Sequence, residues 1–424
     1  MNQRRADVLI IGFYEDLVAD LLRSDAVGVV HVLEEPDLLA EAARPYRENP
    51  RVRFVAGQYQ QSSDGAAVAI DMYRRRQYNL VIPGREYGVR LAHRIAEKLG
   101  LPTPGGVACE ASTDKLALRQ LTAGTRLCHG RYASITSAAD IRRMFDGRTL
   151  MLKPRSRHGS IGVVQVRSAG EIQSQWDSVL SSAQQGAVTA ERALSWEYMA
   201  EDFVTGFAEV SIESVVHDGE IIFSNVTLKS MNGTLHYSPT GHTIPGPVTA
   251  TEIRSLRQAE RRLLELLGMR VGILHSEWIC RQDAPHLVEF AARYPGGKLA
   301  RAIEAVYGAN LADLWINALL GRLTARVGHP DGFAAIGYMT CPPGIISNVR
   351  GEDFLKNAPW VAEYKVSAAI GKRVYTMNSF MDRLGYYICV APSLGELAER
   401  MSAAAAAVTV SSVPVPPGSS ADMS

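Results

Sequence analysis

The sequence has little of what marks secreted, membrane or nucleic-acid-binding proteins. Its cysteines, Cys109, Cys128, Cys280, Cys341 and Cys389, are odd in number and scattered. With no CxxC pair among them, neither a zinc site nor a disulfide framework is expected, and a reducing cytoplasm fits. No stretch carries a run of lysine and arginine able to track a phosphodiester backbone, and the formal net charge is only +1. No nucleic acid is therefore expected as a partner, and a small molecule is the default substrate. Long apolar runs are missing too. Arg4 and Arg5 precede an apolar run over residues 8–13, but Glu15 and Asp16 cut it short, so neither a signal peptide nor a membrane span is expected. The dinucleotide fingerprint GxGxxG is absent, because Gly12 is followed by Phe13-Tyr14-Glu15, and so is the Walker A pattern GxxxxGK[ST]. There are no internal repeats.

What is present is enough for two or three domains with substantial cores: 424 residues, 46% of them hydrophobic. The chain opens with an α/β rhythm. Val8-Leu9-Ile10-Ile11-Gly12 reads as a buried strand, residues 29–33 as the next, and residues 78–82 as a further one. That last strand leads through the loop holding Glu86 to a helix stopped by Gly100 and Pro102. Pro102-Thr103-Pro104-Gly105-Gly106 reads as a domain boundary. A longer α+β region follows, with an amphipathic helix over 252–267 that Gly268 caps. From about residue 325 short apolar runs alternate with glycines, as in a mostly β lobe. A last helix contains residues 403–407, and the Pro/Ser-rich stretch 413–424 reads as a disordered tail.

The most informative stretch is VGILHSEWICRQDAPHLVEFAARYPGG, residues 271–297. Two alternating runs flank Gln282-Asp283-Ala284, a hairpin pattern. If residues 281 and 285 close the turn, Glu277 falls opposite Glu289. Side chains so paired have Cβ atoms roughly 4.5–5.5 Å apart, so the carboxylates crowd unless a cation lies between them, and hard oxygen donors suit Mg²⁺. Alternation puts Arg293 on the face of Glu289 and Ala291, where a guanidinium can grip phosphate oxygens. A metal and an arginine together describe a phosphoryl-transfer site. A solvated strand face with a surface salt bridge would give the same pattern.

A second constellation starts at Leu150-Met151-Leu152-Lys153-Pro154 and continues through a polar loop holding Gly159-Ser160-Ile161-Gly162. Glycines let backbone N–H groups approach an anion, and Ser160 and Lys153 add donors, although an ordinary hairpin has this form as well. In a third segment, Ala200-Glu201-Asp202-Phe203-Val204-Thr205-Gly206 precedes a strand over 208–216 that places Glu209, Ser211 and Glu213 on one face.

The order of these three segments resembles the ATP-grasp superfamily, and within it the carboxylate-amine ligases related to bacterial L-amino-acid ligases. More distant likenesses are to biotin carboxylase and the purine-pathway ligases. The resemblance implies an N-terminal Rossmann-like domain over 1–110, an ATP-grasp module over 111–324 with a mobile lid at about 115–194, and a β-rich C-terminal lobe over 325–412. Thr113-Asp114-Lys115 resembles the start of the grasp module, whose lysine contacts ATP phosphates. Lys153 is similar to the second nucleotide lysine, and Ser160 and Gly162 lie in what resembles the loop over the triphosphate. Residues 201–204, with Glu201 and Phe203, resemble the hinge that reads adenine. Glu209 then takes the ribose position and Lys229 a further phosphate position. Glu277 and Glu289 match the metal-binding carboxylates, and Arg293 the arginine of an E-x-N-x-R signature. Glu86 resembles an acid that relatives place near the substrate; taken alone it reads as a solvated loop residue. Thr240-Gly241-His242-Thr243-Ile244-Pro245 resembles a substrate loop, with His242 near the acyl phosphate, and the Gly296 and Gly297 amides are expected with His242 to stabilise the developing oxyanion.

Ala291 departs from the signature, standing where many members have a metal-ligating asparagine, and Pro239 stands where some relatives carry an acid. The resemblance implies an enzyme using ATP and Mg²⁺, with Mn²⁺ as a substitute. Such an enzyme activates a carboxylate as an acyl phosphate and passes it to an amine, as in small-peptide or natural-product biosynthesis. Its partners are then a small carboxylate and an amine, and a cytoplasmic homodimer is expected. Two alternatives stay open: a carboxyphosphate-forming carboxylase of the biotin carboxylase type, and an inactive nucleotide-binding regulator, which Ala291 would suit.

Overall fold

The structure is a computed structural model that describes residues 5–185, 192, 197–231, 239–322, 326–374 and 383–414. The chain divides into two compact units: the first comprises Met1–Val226, Val248–Gly296 and Ala309–Val327, the second Thr227–Pro247, Gly297–Gly308 and Gly328–Ser424.

The first unit begins with β1 (Ala6–Ile11), β2 (Val27–Glu34), β3 (Val52–Ala56) and β4 (Leu80–Pro83), a parallel sheet in the order β3-β2-β1-β4. Its strands read as continuous apolar runs because helices cover them; Leu9, Ile11, Leu33 and Val81 share a core with α3 (Gly65–Arg74) and α4 (Val89–Leu99). The sequence reading missed β3, a five-residue strand whose alternation breaks at Val55-Ala56. Gly100 ends α4 in the left-handed conformation, which a residue without Cβ adopts at little cost.

After α5 (Gly106–Thr113) and α6 (Lys115–Thr122) comes an antiparallel sheet of β5 (Tyr132–Ile135), β6 (Leu150–Pro154), β7 (Val164–Val166) and β8 (Tyr198–Asp202) in the order β5-β8-β6-β7. With α7 (Ala138–Met144) and α8 (Ile172–Gln185) it closes its own core around Ile141, Leu152, Trp176 and Val179. The same unit holds β9 (Ala208–His217), β12 (Gly272–Cys280) and β13 (His286–Ala291), antiparallel in the order β13-β12-β9, together with α9 (Ala250–Leu267) and α11 (Leu311–Leu319). A Thr249/Glu252 capping box starts α9 and Gly268 ends it.

In the second unit the end of β10 (Glu220–Ser230) pairs with β11 (Gly241–Ile244), and β11 pairs with β14 (Phe333–Met339). β18 (Gly385–Ala391) and β16 (Val361–Val366) continue the ladder. β15 (Gly344–Arg350) joins β17 (Arg373–Val374) and β19 (Thr409–Val413), and α13 (Leu394–Ala407) helps close the core. This β-rich unit also takes in β11 and α10 (Leu299–Tyr307) from earlier in the chain. Val413 still belongs to β19; the rest of the expected tail, residues 415–424, lies outside the described residues. Among the described residues no helix is long and apolar enough to cross a membrane.

Candidate functional site

The β12–β13 ladder sets Glu277 directly opposite Glu289, as the sequence reading expected, but by a different route. Near the turn Ile279 faces His286 and Trp278 faces Leu287, one residue off the register that a 281–285 closure requires. A shift between Glu277 and Trp278 restores the pairing by leaving Val288 as the extra residue. The Val288 carbonyl accepts from Arg119 Nη2 at 2.8 Å. A buried arginine on α6 thus satisfies a group that the irregular ladder releases.

The same face carries a charged network that the sequence reading did not assemble. His275 lies opposite Ala291 on one side and Glu213 on the other. Its Nδ1 is 3.0 Å from Glu213 and its Nε2 3.4 Å from Glu277. Burial works against a charged imidazole here, but hydrogen bonds and charge from Glu213 and Glu277 outweigh it and raise the His275 pKa to about 9. Glu213, fully buried, also accepts from Ser211 at 2.6 Å and from Asn225 at 3.1 Å. Two strands away Lys115 Nζ lies 3.2 Å from Glu289 and also donates to the Arg157 carbonyl. Asp114 makes this placement possible. Its carboxylate caps α6 through Leu116 and Ala117 N–H and pairs with Arg155, so Lys115 starts the helix in a fixed position.

Glu201 and Lys153 meet inside the first unit: Lys153 Nζ is 2.5 Å from Glu201, and Arg119 Nε is 2.6 Å from its other oxygen. Burial opposes ionisation of Glu201, yet the two cations hold its carboxyl far below the usual range. Phe203 is partly exposed and its N–H donates to the Thr149 carbonyl at 2.9 Å. Glu209 stands opposite Ile279, on the face that carries Glu277. Glu86 is not solvated, contrary to the reading of that residue alone: it is buried and accepts from Arg293 Nε at 2.7 Å. Arg293 Nη1 donates to the Tyr294 carbonyl, and Gly296 ends this stretch of the unit.

In the polar loop after β6, Gly159, Ser160 and Gly162 all have positive φ, and the Ile161 and Val163 N–H groups donate to the His158 and Ser160 carbonyls. The front of the loop is already packed. Ser156 and Arg157 are buried, Arg157 reaches the Tyr87 hydroxyl at 3.5 Å, and the His158 ring lies 5.2 Å from the Tyr87 ring.

In the second unit the β10–β11 register sets Lys229 opposite His242, both of them buried. The His242 ring stands edge-on to Tyr338 at 5.8 Å, and the Tyr338 hydroxyl donates to the Gly297 carbonyl at 2.6 Å. Gly297 has φ +63°, and a Cβ there would come within 2.9 Å of that hydroxyl, so glycine is required. Arg383, which no sequence pattern singled out, lies over the Tyr338 ring at 3.4 Å.

Glu277 and Glu289 are hard donors whose present counter-charges, His275 and Lys115, occupy cationic roles, which fits a divalent ion. Among the described residues no group of three or more His, Cys, Asp or Glu is arranged to enclose a metal. Mg²⁺ ordinarily takes one or two carboxylates and draws its other oxygens from phosphate and water, so two suffice.

Residues 147–301 match the family described as ATP-grasp domain, and residues 337–412 match L-amino acid ligase C-terminal domain 2. An uncharacterised protein of Sinorhizobium fredii is 25% identical over 311 residues, 71% of this chain and 61% of its own length. Alanine–anticapsin ligase of Bacillus subtilis is 24% identical over 255 residues, 56% of this chain and 53% of its own length. The chain thus spans less than two thirds of these curated relatives. The crystal structure of L-amino acid ligase from Bacillus licheniformis has the same fold, with TM-score 0.79 at 17% identity over 97% of this chain and 100% of that one.

Proposed function

The chain belongs to the ATP-grasp superfamily and carries an L-amino acid ligase C-terminal domain, and on that premise we propose that it is an ATP-dependent carboxylate-amine ligase working through an acyl phosphate. The observation that carries the reading is the Glu277–Glu289 pairing inside the ATP-grasp match, with Lys115, from before the match, on the second carboxylate. The ligase domain over 337–412 supports an amino acid or similar metabolite as substrate rather than bicarbonate.

In this reading Glu277 and Glu289 hold Mg²⁺, or Mn²⁺ in its place. The bound ion supplies neutralisation of the triphosphate and of the charge that develops as the terminal phosphoryl group transfers. Lys115 and Lys153 release their carboxylates to phosphate oxygens, and Arg293 exchanges Glu86 for the transferring group. A substrate carboxylate oxygen forms a bond to the γ-phosphorus as the bond to the β-phosphate oxygen breaks, giving ADP and an acyl phosphate. An amine nitrogen then attacks the acyl carbon, loses a proton and displaces phosphate. The resemblance gives His242 and the Gly296 and Gly297 amides to this second step, Lys229 to a phosphate, and Glu201, Phe203 and Glu209 to the nucleoside. The free thiols support a reducing, cytoplasmic setting. We assign a homodimer, which light scattering tests.

A phosphate-release screen over pairs of amino acids and small carboxylic acids tests the reaction. ADP and phosphate should appear without AMP or pyrophosphate, and hydroxylamine in place of the amine should trap the acid as a hydroxamate. AMP and pyrophosphate as the stoichiometric products would mean attack at the α-phosphate and would end the acyl-phosphate reading.

A narrower expectation concerns the loop. Its front half is packed on Tyr87, so the change on nucleotide binding should concentrate in residues 159–162, where Gly159, Ser160 and Gly162 take positive φ. Hydrogen exchange there should slow when a non-hydrolysable ATP analogue and Mg²⁺ are added. Unchanged exchange at saturation would remove the loop from the nucleotide site.

A further inference from the structure

The strand face that presents Glu277 rests on a buried polar cluster that the proposed chemistry so far does not use. Glu213 on β9 is fully buried, as are Ser211 on the same strand and Asn225 on β10. Ser211 donates to Glu213 Oε1 at 2.6 Å and Asn225 to Oε2 at 3.1 Å, while His275 Nδ1 stands 3.0 Å from Oε1. A carboxylate in such a place is costly, and apolar residues of similar size would pack the same sheet without that cost. What the three partners do give Glu213 is a single fixed orientation.

The His275 ring carries that orientation outward. β12 places His275 two residues before Glu277, so both side chains leave the same face of the sheet, and the β9 register sets Glu213 directly across from His275. With Nδ1 held on Glu213, the ring aims Nε2 at Glu277 Oε1, 3.4 Å away. On its other side His275 faces Ala291, whose methyl group offers no polar atom to either ring nitrogen. Side-chain exposure rises from 1% at Glu213 through 13% at His275 to 20% at Glu277, so the contacts run from the core to a face that a cation can reach.

We propose that His275, itself oriented by Glu213, is a positioning residue for Glu277, and that this buried relay sets the affinity of the site for its divalent ion. The inference rests on the ligase reading, which gives Glu277 the metal, and adds two residues to it. A glutamate side chain on a strand samples several rotamers and must give them up to bind an ion, whereas one already engaged by a fixed imidazole has fewer to lose. Partners that orient a metal-binding side chain in this way typically change metal affinity by roughly 10–100-fold when removed. His275 acts on the ion only through Glu277, and Glu213 only through His275.

The test uses the full chain and Mn²⁺ alone, titrated by electron paramagnetic resonance, with urea midpoints reporting on the fold. His275→Ala should weaken Mn²⁺ binding by roughly 10–100-fold, and Glu213→Gln by on the order of tenfold. Adding Glu213→Gln to His275→Ala should change the affinity by less than about threefold, because the relay is already cut. His275→Gln, whose amide can donate to Glu277, should recover part of the loss. Where His275→Ala does not fold, His275→Phe keeps a ring without a donor and is read in its place. Unchanged Mn²⁺ binding in the folded variants overturns the proposal. So does tighter binding, which would show that the ring only competes with the ion for Glu277. A further loss of about tenfold from Glu213→Gln in the His275→Ala background also overturns it, since Glu213 would then act by another route. If wild type and Glu289→Gln bind Mn²⁺ alike, the metal site and the ligase reading fall first. Loss of binding in Glu289→Gln with none in the His275 and Glu213 variants leaves that reading standing and removes the positioning role alone.

Discussion

Glu289→Gln should lower ATP turnover by on the order of 10³-fold while leaving the protein folded. The substitution removes the formal charge from one of two facing carboxylates and keeps its shape. A metal at a transferring phosphoryl group is worth several kcal/mol, and each ~1.4 kcal/mol is a factor of ten in rate. The fold should survive because the pair that Glu289 makes with Lys115 is partly open to water, and such pairs contribute only ~0–1 kcal/mol to stability. Circular dichroism and a urea midpoint check the fold, and coupled ADP release at saturating Mg²⁺ checks the rate. Direct Mn²⁺ titration by electron paramagnetic resonance gives a readout independent of activity and should show weakened binding. A folded variant with wild-type turnover would remove Glu289 from the metal site.

Glu201→Gln should cost about 3–5 kcal/mol of stability, the range found when one partner of a buried ion pair is removed. Glu201 is buried between Arg119 and Lys153, and Arg119 is itself only 2% exposed. The variant therefore leaves two cations facing a neutral amide with little water to take over. Acid should act in the same direction on the wild type. The two cations depress the folded carboxyl below its ordinary value of 4.5, so the unfolded chain binds the proton more tightly. The stabilisation is present above that pH and is lost as pH falls toward the folded value. Urea midpoints over an acid series should drop for wild type and change less for Glu201→Gln. Equal midpoints at neutral pH would show that the cluster contributes nothing to the fold.

The sequence made the parallel opening legible because residues 8–11 form an unbroken apolar run, and buried parallel strands require one. It made α9 legible because an apolar stripe and Gly268 act within single turns of helix, while the Thr249/Glu252 capping box that starts it two residues earlier than read emerged only in the structure. The pairing of Glu277 with Glu289 was legible only in outcome. The turn closes one residue away from the expected position, and the shift at Val288 is held by Arg119, a residue more than a hundred positions earlier. Glu86 looked like a solvated loop residue because its partner, Arg293, is 207 residues distant.

By itself, then, the sequence determined most of the local elements, the order of the lysine, loop and carboxylate segments, and through that order the resemblance to ATP-grasp enzymes. Each of these depends on spacing along the chain, which periodicity and motif record directly. Only the tertiary structure decided which charges meet: His275 between Glu213 and Glu277, Glu201 between Arg119 and Lys153, and Arg383 on Tyr338. It also decided that β11 and α10 fold with the C-terminal strands. Electrostatic pairing and strand addition act through space at the range of a few ångströms, and nothing in the local pattern around Arg383 or His275 specifies which distant segment will come within that range.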